Sequence, residues 1–262
     1  MGSKRLRRTR RQRRTKGRWW RVPLRCGELV LFLGVVVGGG YALYDYARTS
    51  ERLRVETITV DGALVLDEMD VITESGVTNA DNLLFLDVNG VRDRVLAMPY
   101  VKSCRVERDF PNKVIVSIEE RTAFATLLVE NRSFLLDREG VVLEELEPNQ
   151  LPVGPFITEV PDLGFIQLGA QLTQEPMSAA LAVWAAFQTT DMAGDVTVSE
   201  IAAPHEDHIR MYCDELPFEI RWGRRDFVNE ARRLDLIWRG TDHDPPCEEY
   251  LDLRFGNEPV CK

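Results

Sequence analysis

Between Val55 and Arg121 the apolar positions switch between a period of two and a helical period, and each switch carries its own punctuation. Val55-Glu-Thr-Ile-Thr-Val60 is rich in β-branched residues and stops at the turn pair Asp61-Gly62, which predicts a strand and a tight reversal. A helix is expected next. Asp67 is a good N-cap, Asp70 stands at N3, Leu66 and Val71 occupy the staple positions, and Gly76 lies where a left-handed C-cap is wanted. Asp87 opens a second helix whose Val88, Val91, Val95 and Leu96 form one stripe, expected to be buried, and Pro99 stops it. Val101 to Asp109 and Lys113 to Arg121 read as strands around Phe110-Pro111-Asn112, with Val114, Val116 and Ile118 alternating against Ile115, Ser117 and Glu119. The predicted unit is β-α-α-β-β.

The pattern beyond Arg121 is richer in strands. Phe124 to Val129 and Ser133 to Leu136 are predicted strands, and Asp137-Arg-Glu-Gly140 is the turn into Val141-Val142-Leu143, which makes a meander. Pro152, Pro155, Pro161 and Gly164 argue against regular structure until a helix over Glu175 to Gln188, where Met177, Leu181, Trp184 and Gln188 lie on one line beside Ala180 and Phe187. A Met and aromatic stripe at that spacing is core. Strands follow at His208 to Cys213 and Phe218 to Trp222, then a helix from Arg225 to Trp238 that presents Phe227, Ala231, Leu234 and Trp238 and ends at Gly240. Tyr250 to Phe255 is the final predicted strand. No Gly/Ser/Pro-rich break separates the halves, so residues 53–121 and 122–262 are expected to abut as two domains of an α+β protein, the second one β-rich.

The N-terminal pattern is different in kind. Leu29 to Tyr44 is free of charge for 16 residues, about 24 Å of helix at ~1.5 Å per residue. With Trp19, Trp20, Tyr41, Tyr44 and Tyr46 at its flanks it is expected to cross a membrane once, as a helix over 29–46. A cleavable signal peptide also has a basic start and an apolar core, but Tyr41-Ala-Leu-Tyr-Asp-Tyr46 puts bulky residues where a peptidase needs small ones. Gly34 and Gly38, with Ala42 beyond, have the spacing that permits close helix contact and self-association, although glycine is common in membrane helices in any case. Charge sharpens this picture. Of the 33 Lys and Arg, 12 lie within residues 1–25, which hold no acid, leaving 21 against 42 Asp and Glu in the remainder. The basic segment adjoins the apolar run, so residues 1–28 are expected to stay on the cytoplasmic side as a tail, and nucleic-acid binding is not expected. The 44% hydrophobic content excludes a wholly disordered chain.

The order β-α-α-β-β, Val60-Asp61-Gly62, Asn82-Leu-Leu-Phe-Leu-Asp87, Met98-Pro99-Tyr100-Val101, and Arg105-Val106-Glu107-Arg108-Asp109-Phe110-Pro111-Asn112 running into Val116-Ser117-Ile118-Glu119-Glu120-Arg121 together resemble a POTRA domain of the FtsQ/DivIB family. Phe134-Leu-Leu-Asp-Arg-Glu-Gly140 and Tyr250-Leu-Asp-Leu-Arg-Phe255 resemble that family's second domain and final strand, so the resemblance covers roughly residues 53 to 262. It implies a non-enzymatic, single-pass scaffold of the bacterial inner membrane, enriched at the division septum, which recruits FtsB/DivIC-like and FtsL-like proteins and through them septal wall synthesis.

The catalytic inventory is thin. The sequence has no phosphate-binding glycine loop, no Gly-x-Ser-x-Gly elbow and no paired-cysteine zinc spacing, and neither a cofactor nor a catalytic residue is expected. His205 and His208 stand three apart near Cys213, but His208 begins a strand while His205 follows Pro204, so convergence on a metal is not expected. The competing class is a membrane-anchored envelope enzyme acting on the cell wall, which would need a cleft with two carboxylates ~5–9 Å apart.

Two further expectations concern the C-terminal region. Phe218 to Trp222, the helix after it and Tyr250 to Phe255 form β-α-β, which would make neighbouring strands parallel. Cys213 and Cys247 each precede one of these strands and would meet at the same end as a disulfide. Cys247 with Cys261 is disfavoured, because only Gly256 to Val260 remain for the return. Cys104 is expected to be a buried thiol. The final strand, Tyr250, Leu251, Asp252, Leu253, Arg254 and Phe255, is expected at a sheet edge, where unpaired backbone groups invite an added strand. Leu251, Leu253 and Phe255 would face the core, and Tyr250, Asp252 and Arg254 the other side, with Leu236 and Trp238 extending the surface. The resemblance implies that this strand binds the FtsB/DivIC-like partner.

Overall fold

The computed structural model describes residues 21–223, 226–255 and 260–262. Trp19, Trp20 and most of the basic segment lie outside the described residues.

Helix α1 runs from Arg21 to Thr49, and its Leu29–Thr49 part, 21 residues, is long and apolar enough to cross a membrane. The helix expected to end at residue 46 continues as far as Thr49, because no Gly or Pro interrupts it and the Thr49 hydroxyl donates back to the Asp45 carbonyl. A short 3-10 turn, Glu51–Leu53, then leads into β1 (Thr57–Asp61).

The β-α-α-β-β unit is present as read. Helices α2 (Glu68–Ser75) and α3 (Val88–Leu96) cover a three-stranded sheet in which β3 (Lys113–Glu120) lies between β1, parallel to it, and β2 (Val101–Asp109), antiparallel. Asp67 accepts from the Met69 N–H at 2.8 Å, Gly76 takes a left-handed φ of 65°, and Asp87 accepts from Gly90 N–H at 3.1 Å. Val71, Val91, Val95, Val114 and Val116 are fully buried between the layers, each contributing about 1.5–3 kcal/mol of transfer free energy. Leu96 departs from its expected stripe: α3 ends there and leaves its side chain exposed. Cys104 is half-buried rather than buried, and desolvation raises its pKa.

The second unit is one nine-stranded sheet in the order β12-β11-β10-β9-β8-β7-β4-β5-β6. Its strands are β4 (Ala123–Val129), β5 (Arg132–Asp137), β6 (Val142–Leu146), β7 (Phe156–Thr158), β8 (Val198–His205), β9 (His208–Cys213), β10 (Glu219–Trp222), β11 (Tyr250–Asp252) and β12 (Val260–Cys261). Helices α4 (Glu175–Phe187) and α5 (Phe227–Gly240) pack over it, burying Met177, Leu181, Phe187, Leu234 and Trp238 with Trp222, Ile220 and Leu251. The expected parallel β10-α5-β11 unit is present, with Ile220 opposite Leu251.

Besides β12 at the C-terminus, two strands were not expected from the sequence. β7 sits among prolines, and it exists because it pairs in parallel with β8 through all three residues and with β4 through Phe156 and Ile157. β8 carries Pro204, tolerated because the β8–β9 register shifts between Ala202 and His205.

The C-terminal end differs most. β11 stops at Asp252, and β12 folds back antiparallel to it, Leu251 opposite Cys261 and Asp252 opposite Val260. The disulfide is Cys247–Cys261, with Cα atoms 5.2 Å apart, and not the expected Cys213–Cys247 pair. The reason is that β12 takes the place next to β11 and so brings Cys261 to Cys247, three residues before β11. Cys213 stays a buried free thiol whose pKa burial pushes up to about 12.

The two units are docked. Arg121 donates to Asp137 at 2.5 Å and Glu139 at 2.9 Å, Lys102 pairs with Glu139 at 2.8 Å, and the Tyr100 hydroxyl donates to Glu144 at 2.8 Å. Leu135, Val141 and Leu143 pack with Tyr100 and Ala123 beneath these bonds.

Candidate partner-binding edge

Tyr250–Asp252 lies between β10 and β12, so the outer rail at this end of the large sheet is β12 rather than the strand expected there. Lys262 and Tyr250 exchange both backbone bonds, at 3.1 and 3.2 Å, and the Lys262 carbonyl also accepts from Glu248 and Glu249. In an antiparallel ladder the neighbouring pair is then of the non-hydrogen-bonded kind, which turns the N–H and C=O of Cys261 away from β11 and out of the sheet. The disulfide holds this rail at Cys247, and the Lys262 ammonium adds a 2.7 Å pair with Glu249.

The side chains of the expected site divide differently from a simple alternation. Leu251 and Leu253 are buried as read, the latter because its N–H continues to the Arg221 carbonyl at 2.9 Å. Phe255 is 60% exposed, because the chain has left the strand two residues earlier. Asp252, expected on the outer face, is 1% exposed. Its carboxylate takes the Arg254 guanidinium at 2.9 and 2.5 Å and the Arg254 backbone N–H at 3.0 Å. Burial works against the Asp252 charge, but these bonds outweigh it and hold its pKa below the usual carboxylate value. Arg254 is therefore a structural clamp as well as a surface cation.

Around this clamp the exposed face of β9–β11 is a polar lattice. Arg221 lies over the Tyr250 ring at 3.8 Å and pairs with Glu219 at 2.6 Å, and Glu219 also accepts from the Tyr212 hydroxyl, whose pKa desolvation and that bond push up to about 12. Arg254 reaches the His208 ring at 3.2 Å, and burial together with that guanidinium lowers the histidine pKa. His205 stands opposite His208 across the β8–β9 turn, beside Glu206 and Asp207, whereas Cys213 is at the far end of β9, so the three do not converge. On α5, Leu236 is 63% exposed, while Trp238 is buried and donates to Asp195 at 2.8 Å.

An apolar N-terminal helix, a β-α-α-β-β unit and a large mixed sheet ending in a short returned strand define a POTRA-bearing protein with a dedicated C-terminal domain. The family model for the FtsQ-type POTRA domain matches residues 53–121, and that for the C-terminal domain of the cell division proteins FtsQ/DivIB matches residues 126–254. The chain belongs to the FtsQ/DivIB family of cell division proteins. Cell division protein FtsQ of Myxococcus fulvus is 29% identical over 217 residues, which is 80% of this chain and 73% of that protein. FtsQ of a Geobacter species is 24% identical over 258 residues, covering 92% and 91%. DivIB of Clostridium tetani is 26% identical over 91 residues, covering 35% and 34%.

Proposed function

We propose that this chain is a non-enzymatic, single-pass scaffold of the bacterial division machinery, held in the inner membrane by α1 with its basic tail in the cytoplasm. Its POTRA and C-terminal domains then work outside, and the C-terminal edge recruits FtsB/DivIC-like and FtsL-like proteins for septal wall synthesis. The observation that carries the recruiting role is the β12 rail: a two-residue strand, stapled in place, whose Cys261 backbone groups point away from the sheet. An added strand takes its affinity from such groups, and the neighbouring Tyr250–Arg221 and Arg254–Asp252 pairs offer side chains that select the partner. Gly34 and Gly38 are exposed on α1 with nothing within 4 Å, the condition for close approach of a second membrane helix.

Depletion of the protein in its host is the test. Unseparated filaments are the expected phenotype, and normal septation would reject the role. In spheroplasts, protease added from outside should remove everything beyond about Asp45 and spare the tail; a processed chain that starts near Ala42 would reject the single-pass arrangement.

A further inference from the structure

The loop between α2 and α3 is tied to α1. The Asn82 side-chain amide donates to the carbonyls of Ala47 at 2.8 Å and Arg48 at 3.1 Å, which are among the helix-end carbonyls that lack an intrahelical partner. Three residues further on, the Phe85 ring meets the Tyr44 ring edge-on, with centroids 5.2 Å apart. Tyr44 lies inside the apolar Leu29–Thr49 segment, five residues and so ~7.5 Å along the axis before its end at ~1.5 Å per residue. Phe85 therefore reaches back past the helix end to the depth of a residue that belongs to the span. Leu84 and Phe85 are nevertheless 42% and 44% exposed, although they are large apolar side chains.

The same end of the domain holds a third such residue. Glu56 N–H donates to the Asn112 carbonyl, and Leu53 and Val55 bond to Leu83 and Asp81, so the β2–β3 turn, the 82–85 loop and the exit from α1 share one end of the unit. Phe110 in that turn is 54% exposed. The opposite end, reached along β1, carries Leu64.

We propose that this end of the POTRA domain rests in the headgroup layer of the bilayer, with Leu84 and Phe85 entering it beside Tyr44 and Phe110 lying over it. The inference rests on the proposed membrane crossing of α1. Lipid is the occupant that fits, because an exposed ring set edge-on against a tyrosine near the end of an apolar helix is where interfacial aromatic belts form. The consequence is a POTRA domain held at a fixed height and tilt instead of swinging on a tether.

The test uses the full chain in lipid discs of phosphatidylethanolamine and phosphatidylglycerol, with and without bromine high on the acyl chains. Phe85→Trp and Leu84→Trp are each compared with their parent, and Leu64→Trp serves as the control at the far end. The added emission of Phe85→Trp and Leu84→Trp is expected to be quenched by bromolipid and blue-shifted, while that of Leu64→Trp is unchanged. No quenching at 84 and 85 in a chain that resists alkaline extraction from the membrane would overturn the inference and leave the crossing intact. Equal quenching at 64 would overturn it too. Release of the wild-type chain by alkaline extraction would remove the crossing, and the inference with it.

Discussion

Replacing Cys261 by Ser removes one sulfur from the edge of the large sheet and should release its last strand. Without the staple, holding Val260–Lys262 in place requires ordering three residues, about 3–6 kcal/mol at 1–2 kcal/mol each. Against this stand the four backbone bonds that Lys262 makes with Glu248, Glu249 and Tyr250, worth about 2–6 kcal/mol in total at 0.5–1.5 each. The two nearly cancel, so the disulfide decides whether β12 is docked or frayed. Its global contribution is bounded by loop closure: the cysteines are 14 apart in sequence, and a loop of that length is worth about 3 kcal/mol. For a domain of roughly 150 residues that corresponds to a fall in Tm of about 6–12 °C. Calorimetry of the full chain in detergent measures the global effect, and hydrogen exchange at the Glu249 and Tyr250 amides measures the local one. Wild-type protection of those amides in Cys261→Ser, with an unchanged Tm, would refute the reasoning.

Arg121→Ala should destabilise the junction of the two domains by about 3 kcal/mol, at the low end for a broken buried pair because Asp137 keeps the N–H groups of Glu139 and Val141; urea titration reads it. Asp67→Ala, which removes the N-cap of α2, should cost about 1 kcal/mol in the same assay. The Asp252–Arg254 clamp sets an acid limb. Because the folded pKa of Asp252 lies below its ordinary 3.8, the stabilisation is fully present above that value and is lost as pH falls through the folded one. The stability gap between wild type and Asp252→Asn should therefore close on acidification, and a gap that is independent of pH would contradict the assignment. Arg254→Glu should unfold the C-terminal edge as well as weaken partner binding, since it leaves Asp252 buried beside a like charge; circular dichroism and Tm distinguish it from a clean surface variant.

The POTRA unit was legible because every boundary is written locally: the cap at Asp67, the left-handed Gly76, the cap at Asp87 and the alternation of Val114, Val116 and Ile118 all act within a few residues. The large sheet was legible only where strands met by hairpins or by a βαβ unit. β7 has three residues between prolines and no pattern of its own; its existence depends on β4 and β8, which lie far away in sequence. The edge was misplaced for the same reason. Period-two reasoning extended the strand through Phe255, whereas Arg254 turns back to neutralise Asp252 and ends the strand there. A disulfide depends on which strands are neighbours, so the return of β12, which the spacing argued against, changed the pairing. The contact of Asn82 and Phe85 with α1 had no sequence signal beyond the Asn82–Asp87 motif, whose side-chain partners lie 34 or more residues away.

The most direct measurement concerns β12 in living cells. A chain lacking residues 260–262 is expressed as the sole copy in the depleted host, its folding is checked by Tm, and the recovery of FtsB/DivIC-like and FtsL-like proteins with it is quantified beside the rescue of filamentation. The scaffold reading expects an inserted, folded chain that retrieves neither partner and leaves the cells as filaments. Recovery of both partners at the wild-type level with normal septation would contradict it.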